Sequence, residues 1–444
     1  MFEKTAARFE ALVKGMVFDC RSCGQCVLRQ TGLICPMTCP KGLRNGPCGG
    51  TLNGECEVYP DKPCVWVRIH NRTGKESLAT PNLLPSPDAR LFHTSSYANY
   101  WTGDDKAGRT PLEYLDLGVN RTIRPLETAS RLEARLKAGF FVRTCEVRAP
   151  RSAKLDTLRH QTKDIGDGFD AVNATAYLNA KPSLPSAVVA AKLAELGFDS
   201  ICQSTCRDHT KTSFVSELIQ NQMNGVHNTL CLTGDSYAGV PKIKQVFDMD
   251  ASLMLYEARY LRERGIVHFT GEKLEPRPRI FLGGAINPFT NPANVPVRRL
   301  KQKVAAGVDF IQSQLVFDVP RFGQFMELVR QEQVDHDVFI IAGVPVVTSA
   351  KALAMLPKIP GVYLPDAMMR RLSGAADLKR EGVIVAGEIA RQLYEIPGVA
   401  GVHLMLFGPD HAVLPEVIDD LPRRRIGFPQ THLQQERELC PSTI

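Results

Sequence analysis

From Gly139 onward the chain repeats one pattern eight times, an apolar β-rich run followed by a helical stretch. The runs are Phe140–Val147, Phe169–Ala176, Phe198–Thr205, Asn228–Asp235, Arg279–Ile286, Phe310–Phe317, Val338–Val346 and Gly401–Phe407. Helical stretches such as Ala187–Leu196, Ser213–Met223, Ser252–Arg264 and Leu300–Ala306 lie between them. Strands separated in this way by helices pair in parallel, and eight of them predict a (β/α)8 TIM barrel rather than a doubly wound sheet. No G-x-G-x-x-G follows any of the runs, and Gly283-Gly284 alone does not replace it, which counts against a dinucleotide-binding Rossmann domain. A helix before the first run starts at Ser130, with Glu133 placed for a capping box, Leu132 and Leu136 on one face and Gly139 as its stop.

In barrels the C-terminal strand ends carry the chemistry. At or near those ends stand Glu146, Thr175, Gln203, Asp235, Asn287, Gln314 and His403. Each alone reads as a cap or a satisfied core polar group; together at one rim they outline a site.

The cysteines constrain the other end of the chain. Eight of thirteen precede residue 65, namely Cys20, Cys23, Cys26, Cys35, Cys39, Cys48, Cys56 and Cys64. The start, Met1 to Val17, reads as an amphipathic helix with Phe2, Phe9, Leu12, Val13 and Met16 on one face, not as a signal peptide. A cytoplasmic location is therefore expected, where thiols stay reduced and a disulfide framework is disfavoured. The close triplet Cys20, Cys23 and Cys26 suits an iron–sulfur cluster, with Cys35-Pro36 or Cys39-Pro40 offering a remote fourth ligand. Structural zinc is the alternative. The eight thiols suffice for one or two 4Fe-4S clusters, and the spacing does not assign ligands. Glycines between Gly42 and Gly50 let so small a segment fold tightly around a metal, on which a domain of this size depends. With 44% hydrophobic and 23% charged residues the whole chain is globular. Its formal charge of +7 includes no long basic block, and no apolar run spans a bilayer, so neither a nucleic-acid nor a membrane partner is expected.

Several of these segments also carry a family resemblance. Glu146 in the first run, Val172-Asn173-Ala174-Thr175, Thr205-Cys206-Arg207-Asp208, Leu232-Thr233-Gly234-Asp235, Gly283-Gly284-Ala285-Ile286-Asn287-Pro288, Ser313-Gln314-Leu315 and Gly401-Val402-His403 resemble 5,10-methylenetetrahydrofolate reductases in order and spacing. The likeness spans about residues 126–410. The segment with Cys35-Pro36, Cys39-Pro40-Lys41-Gly42, Asn45-Gly46-Pro47-Cys48-Gly49-Gly50 and Cys64-Val65-Trp66 is similar to the cysteine-rich subunit or domain that accompanies the reductase in acetogenic bacteria.

The resemblance implies a noncovalent flavin, FAD or alternatively FMN, at the barrel mouth, and hydride transfer to methylenetetrahydrofolate. It implies Glu146 as the acid that protonates N10, Asp235 as the carboxylate facing the iminium cation, and Gln314 as the pterin-binding amide. Partial desolvation would raise the pKa of such an acid. For the flavin it implies Thr175, Gln203, Asp235, Ala285, Asn287, Lys303 and His403, with Lys303 on the phosphate. Gln203 and Thr233 depart from the His and Arg that many members carry, and Ala350 from an aromatic that stacks NADH. A redox protein such as ferredoxin is thus favoured over NAD(P)H as donor. The expected division is a metal domain at 1–72, a wrapping linker at 73–125, the barrel at 126–410 and a tail at 411–444. A homo-oligomer stays open. The competing class is a flavin-free, folate-binding methyl-transfer or partner module with a structural zinc domain.

Overall fold

The computed structural model describes residues 2–423 apart from 52, 75–82, 113–128, 153, 178–179, 238–239 and 241. Its centre is a closed barrel of parallel strands in sequence order. The strands are β1 (Val142–Val147), β2 (Ala171–Ala174), β3 (Ser200–Thr205), β4 (Asn228–Leu232), β5 (Phe281–Ile286), β6 (Phe310–Leu315), β7 (Phe339–Val347) and β8 (Val399–Phe407). Closure is made where β1 pairs with β8, with Val142 opposite Gly401 and Thr144 opposite His403. Helices such as Ser186–Glu195, Lys211–Met223, Ala251–Arg264 and Asn294–Ala306 return the chain between strands. The expected (β/α)8 architecture is what the chain adopts.

Two apolar layers hold it. Outward-facing strand residues and the inner helix faces form the large core, with Val172, Cys202, Cys231, Leu282, Ile311 and Val402 all buried. Inside the barrel, near the strand N-termini, Val142, Ala171, Ile201, Leu230, Phe281, Phe310, Ile341 and Ala400 make a second cluster. Phe281 and Phe310 stack there at 5.1 Å. The helix Arg131–Lys137 closes that end, inserting Leu132 and Leu136, both fully buried. Ser130 accepts from the Glu133 amide as expected, but the Glu133 carboxylate takes the Ala129 N–H instead of the reciprocal Ser130 amide.

Several strands are shorter than their apolar runs. β4 stops at Leu232, which leaves Asp235 on the following loop, and Thr175 and Asn287 each lie one residue past a strand. Helix Asn294–Ala306 starts before the expected Leu300, since Pro296 and two arginines interrupt its apolar period while a proline is tolerated in a first turn. The segment expected as a tail opens with helical turns at His411–Val413 and Leu414–Ile418, whose Val413, Leu414, Val417 and Ile418 join the core.

The cysteine-rich segment begins with helix Phe2–Phe18, whose Phe9, Leu12 and Met16 are exposed. Helix Val65–Thr73 ends it, and Val65, Trp66, Val67 and Ile69 form its own small core with Ile34 and Cys39. Residues 83–112 contact both parts. Asp88 bonds Gln25 through its amide, and Ser86 Oγ donates to Asp248 O at 2.5 Å on the barrel side. Tyr97, Tyr100 and Trp101 of this segment are exposed, and buried Leu83, Leu84 and Asn99 pack it down. Tyr114 and Cys440 lie outside the described residues. Among the described residues no helix is long and apolar enough to cross a membrane.

Candidate functional site

At the C-terminal mouth, β1 and β8 bring Glu146 and His403 together, Nε2 to Oε2 at 3.8 Å. One level below, a buried polar network fills the barrel. Asn173 Nδ2 donates to Gln312 Oε1 at 2.7 Å, and Gln312 Nε2 donates back to Asn173 Oδ1 at 3.2 Å. That reciprocal pair turns the Gln312 amide nitrogen toward His403 Nδ1, 3.4 Å away, with Thr144 Oγ1 at 2.9 Å from the same nitrogen. Nδ1 is then assigned as the acceptor, and Nε2 carries the hydrogen toward Glu146. Thr144, Asn173 and Gln312 were not singled out from sequence. Strand alternation was the available signal, since Thr144 and Gln312 stand two residues before Glu146 and Gln314 on the same strand faces. A cavity of ≈ 280 Å³ opens beside Glu146, lined also by Arg148, Leu406, Gly408 and His411.

Neighbouring strand ends are knit by their polar side chains. Thr175 Oγ1 accepts from Ala149 N at 3.1 Å, and Gln203 Oε1 from Ala176 N at 3.2 Å. Gln314 donates to Pro360 O at 3.2 Å. Ala285 is half-buried near the end of β5.

Across the mouth, Asp235 keeps solvent access. Its carboxyl is nevertheless held above the usual range, first because surrounding protein displaces water and next by the charge of Glu57, with Lys41 and Arg207 opposing. Buried Arg207 donates to Asp235 O at 3.1 Å and Tyr177 O at 2.8 Å, and its guanidinium lies over the Tyr237 ring at 4.1 Å.

The cysteine-rich segment covers the β4–β5 side of this mouth. Lys41 and Glu57 form an ion pair with side chains 3% exposed. Asn287 does not face an open site, because its amide donates to Gly49 O at 2.7 Å and Gly361 O at 2.9 Å. Asn45 Nδ2 reaches Asp250 Oδ2 at 2.7 Å, and its carbonyl accepts from Arg299. Buried Lys303 lies by Arg299, with Asp250 the carboxylate that opposes them; burial, then Arg299, lowers its pKa to about 8. Two buried cations facing one carboxylate fit an added phosphate.

The twelve described cysteines are free. Cys20, Cys23, Cys26 and Cys35 act electrostatically on one another or on shared Arg44. Cys39, Cys48, Cys56 and Cys64 form a second such set with Glu57. Among the described residues, however, no three His, Cys, Asp or Glu side chains stand close enough to hold one metal ion.

Comparison with known proteins gives two family matches. Residues 131–421 match the family profile described as methylenetetrahydrofolate reductase, and residues 1–83 the one described as methylene-tetrahydrofolate reductase C terminal. Among solved structures, a Clostridium thermocellum protein described as binding two copies of 5-methyl-5,6,7,8-tetrahydrofolic acid is similar at 14% identity and a TM-score of 0.49, over 65% of this chain and 97% of that one. Riboflavin lyase with modified FMN and riboflavin is similar at 13% identity and a TM-score of 0.37, over 68% of this chain and 93% of that one. DmoA from Hyphomicrobium sulfonivorans is similar at 8% identity and a TM-score of 0.40, over 63% and 86%.

Proposed function

The chain belongs to the methylenetetrahydrofolate reductase family, and on that premise we propose that it reduces 5,10-methylenetetrahydrofolate to 5-methyltetrahydrofolate with a bound flavin. The observation that carries this reading is the pair of carboxylates at one barrel mouth, Glu146 on β1 and Asp235 after β4. When bound, the flavin supplies the hydride. Opening the folate imidazolidine ring needs a proton at N10, and Glu146 beside the cavity is placed to give it. His403 Nε2–H, fixed by the network beneath it, orients that carboxyl. The iminium that forms is cationic, and the Asp235 carboxylate stabilises it. Gln314 offers an amide to the donor–acceptor edge of the pterin.

Thr175, Gln203, Ala285 and His403 border the same mouth and would hold the flavin ring. Lys303 with Arg299 would hold a phosphate, which FAD and its alternative FMN both carry. Asn287 contributes through the backbone it ties to Gly49. Residues 1–72 form the metal domain on this reading, and the described residues 83–112 join it to the barrel. Two sets of four thiols would suit one or two 4Fe-4S clusters, with structural zinc as the alternative. The donor is then a redox protein such as ferredoxin, because Ala350 at a helix start offers a nicotinamide nothing to stack on.

Glu146→Gln tests the reading. The variant should keep its visible flavin spectrum and its reduction by artificial donors, yet lose folate turnover by about 10²-fold or more. Turnover within a fewfold of wild type removes Glu146 from the chemistry. A colourless, zinc-containing wild-type protein prepared without oxygen would instead favour the flavin-free folate module.

A further inference from the structure

Three consecutive residues of the loop after β4 are held at their backbones by charged side chains. Lys41 Nζ donates to Gly234 O at 2.7 Å, Arg207 Nη1 to Asp235 O at 3.1 Å, and Ser236 N donates to Glu57 Oε1 at 3.3 Å. Two of the three holders, Lys41 and Glu57, come from the cysteine-rich segment and pair with each other out of water. Both sides of the contact are shaped for it. A Cβ on Gly50 would stand 1.4 Å from Glu57 Oε2. Gly234 has φ +84, and a Cβ there would stand 2.9 Å from Arg207 Cβ.

A buried ion pair is a poor source of net stability, because desolvation offsets its attraction. As an anchor between domains it could bond any peptide on the barrel surface. Instead its two members bond the residues immediately before and after Asp235. We propose that Lys41 and Glu57 are positioning residues for Asp235, a clamp by which the cysteine-rich domain sets the geometry of the barrel's reaction site. The clamp rests on the reading of Asp235 as the carboxylate that faces the folate cation. The raised pKa of Asp235, with Glu57 and Lys41 among its causes, agrees with their closeness. Without Lys41 and Glu57 the loop keeps its ties from Arg207 to Thr233 O and Asp235 O and from Tyr237 N to Gln245, but Gly234 and Ser236, on either side of Asp235, lose these holds.

The full-length protein, loaded with its cofactors, allows a test that bypasses the physiological donor: oxidation of 5-methyltetrahydrofolate by a quinone acceptor. Three measurements are combined, namely turnover, calorimetric binding of 5-methyltetrahydrofolate, and hydrogen exchange at residues 233–237. Asp235→Asn should lower turnover by about 10²-fold. Lys41→Met should lower it about tenfold or more through misplacement of Asp235, weaken folate binding, and speed exchange at Ser236. Lys41→Arg should preserve all three. In the Asp235→Asn background, Lys41→Met should add less than about twofold, since both changes act on one group. If Lys41→Met leaves buried Glu57 too destabilising for folding, Lys41→Met with Glu57→Gln removes both charges and should show the same loosened loop. Wild-type exchange at Ser236, or losses that add independently of Asp235, would overturn the clamp while leaving the proposed reaction intact. Wild-type turnover in Asp235→Asn would overturn that reaction's assignment of Asp235, and exchange at Ser236 would still decide the clamp.

Discussion

Lys303 is a charge the fold buries before any ligand arrives. An amine whose pKa drops to about 8 on folding binds fewer protons in the native than in the unfolded state above that pH. Its contribution to stability therefore rises with pH between about 8 and the ordinary 10.5, and below 8 its cost is constant. Flavin-free Lys303→Met protein should melt higher than wild type at pH 7, and the gap should close as pH rises toward 10. The same variant should retain less flavin. Thermal midpoints across pH with flavin content check both; a pH-independent gap would mean the ammonium is not desolvated. Residues of this kind divide by how the sequence displays them. Glu146, Asp235 and His403 were legible because polar residues at the ends of apolar runs stand out. Asn173 and Gln312 were not, because a polar side chain in mid-strand looks like noise until its partner across the barrel is known. Lys41 and Glu57 were not legible either, because a charged residue among eight cysteines reads as an ordinary part of a metal-binding segment.

The helix Arg131–Lys137 plugs the barrel at the end opposite the chemistry. Leu136 is fully buried against the inner cluster, so Leu136→Ala should cost about 2–5 kcal/mol of stability. Folate affinity should not change, because the plug and the mouth are separated by the length of the strands. Urea unfolding with calorimetric titration measures the two; a parallel loss of affinity would mean the interior layers are coupled. At this scale most elements could be read in advance, since continuous apolar runs and periodic helices are driven by burial. Their ends could not. Whether β4 stops at Leu232 or runs to Asp235 depends on which groups bond the loop's backbone, and Arg207 and Lys41 decide that by donating to its carbonyls from other parts of the chain.

The two sets of cysteines lie at unequal distances, in interactions, from the barrel. Glu57 Oε2 is 3.5 Å from Cys48 Sγ and also belongs to the contact with the β4 loop, whereas the set with Cys23 borders Arg44 and the wrapping residues. Cys23→Ser should lose iron and sulfide yet keep flavin and reduce methylenetetrahydrofolate with an artificial donor. Cys56→Ser should lose that donor-independent activity as well. Metal analysis and anaerobic turnover of the two variants check this, and equal behaviour would mean that the domain folds or fails as one unit.

The contact of Lys41 and Glu57 with the β4 loop bears on how the protein matures. Lys41 follows Cys39 by two residues and Glu57 follows Cys56 by one, so on the reading of this segment as a metal domain their placement would depend on the loops carrying those thiols. A newly made barrel whose small domain is still empty would then hold a reaction centre that is assembled but slack. Reduced flavin in such a chain would have no well-placed partner for folate and would be left to react with oxygen. Alongside the contacts at Asn45, Gly49 and His70, coupling the two parts at the loop of Asp235 would make competence conditional on completion, a form of quality control written into the covalent chain itself.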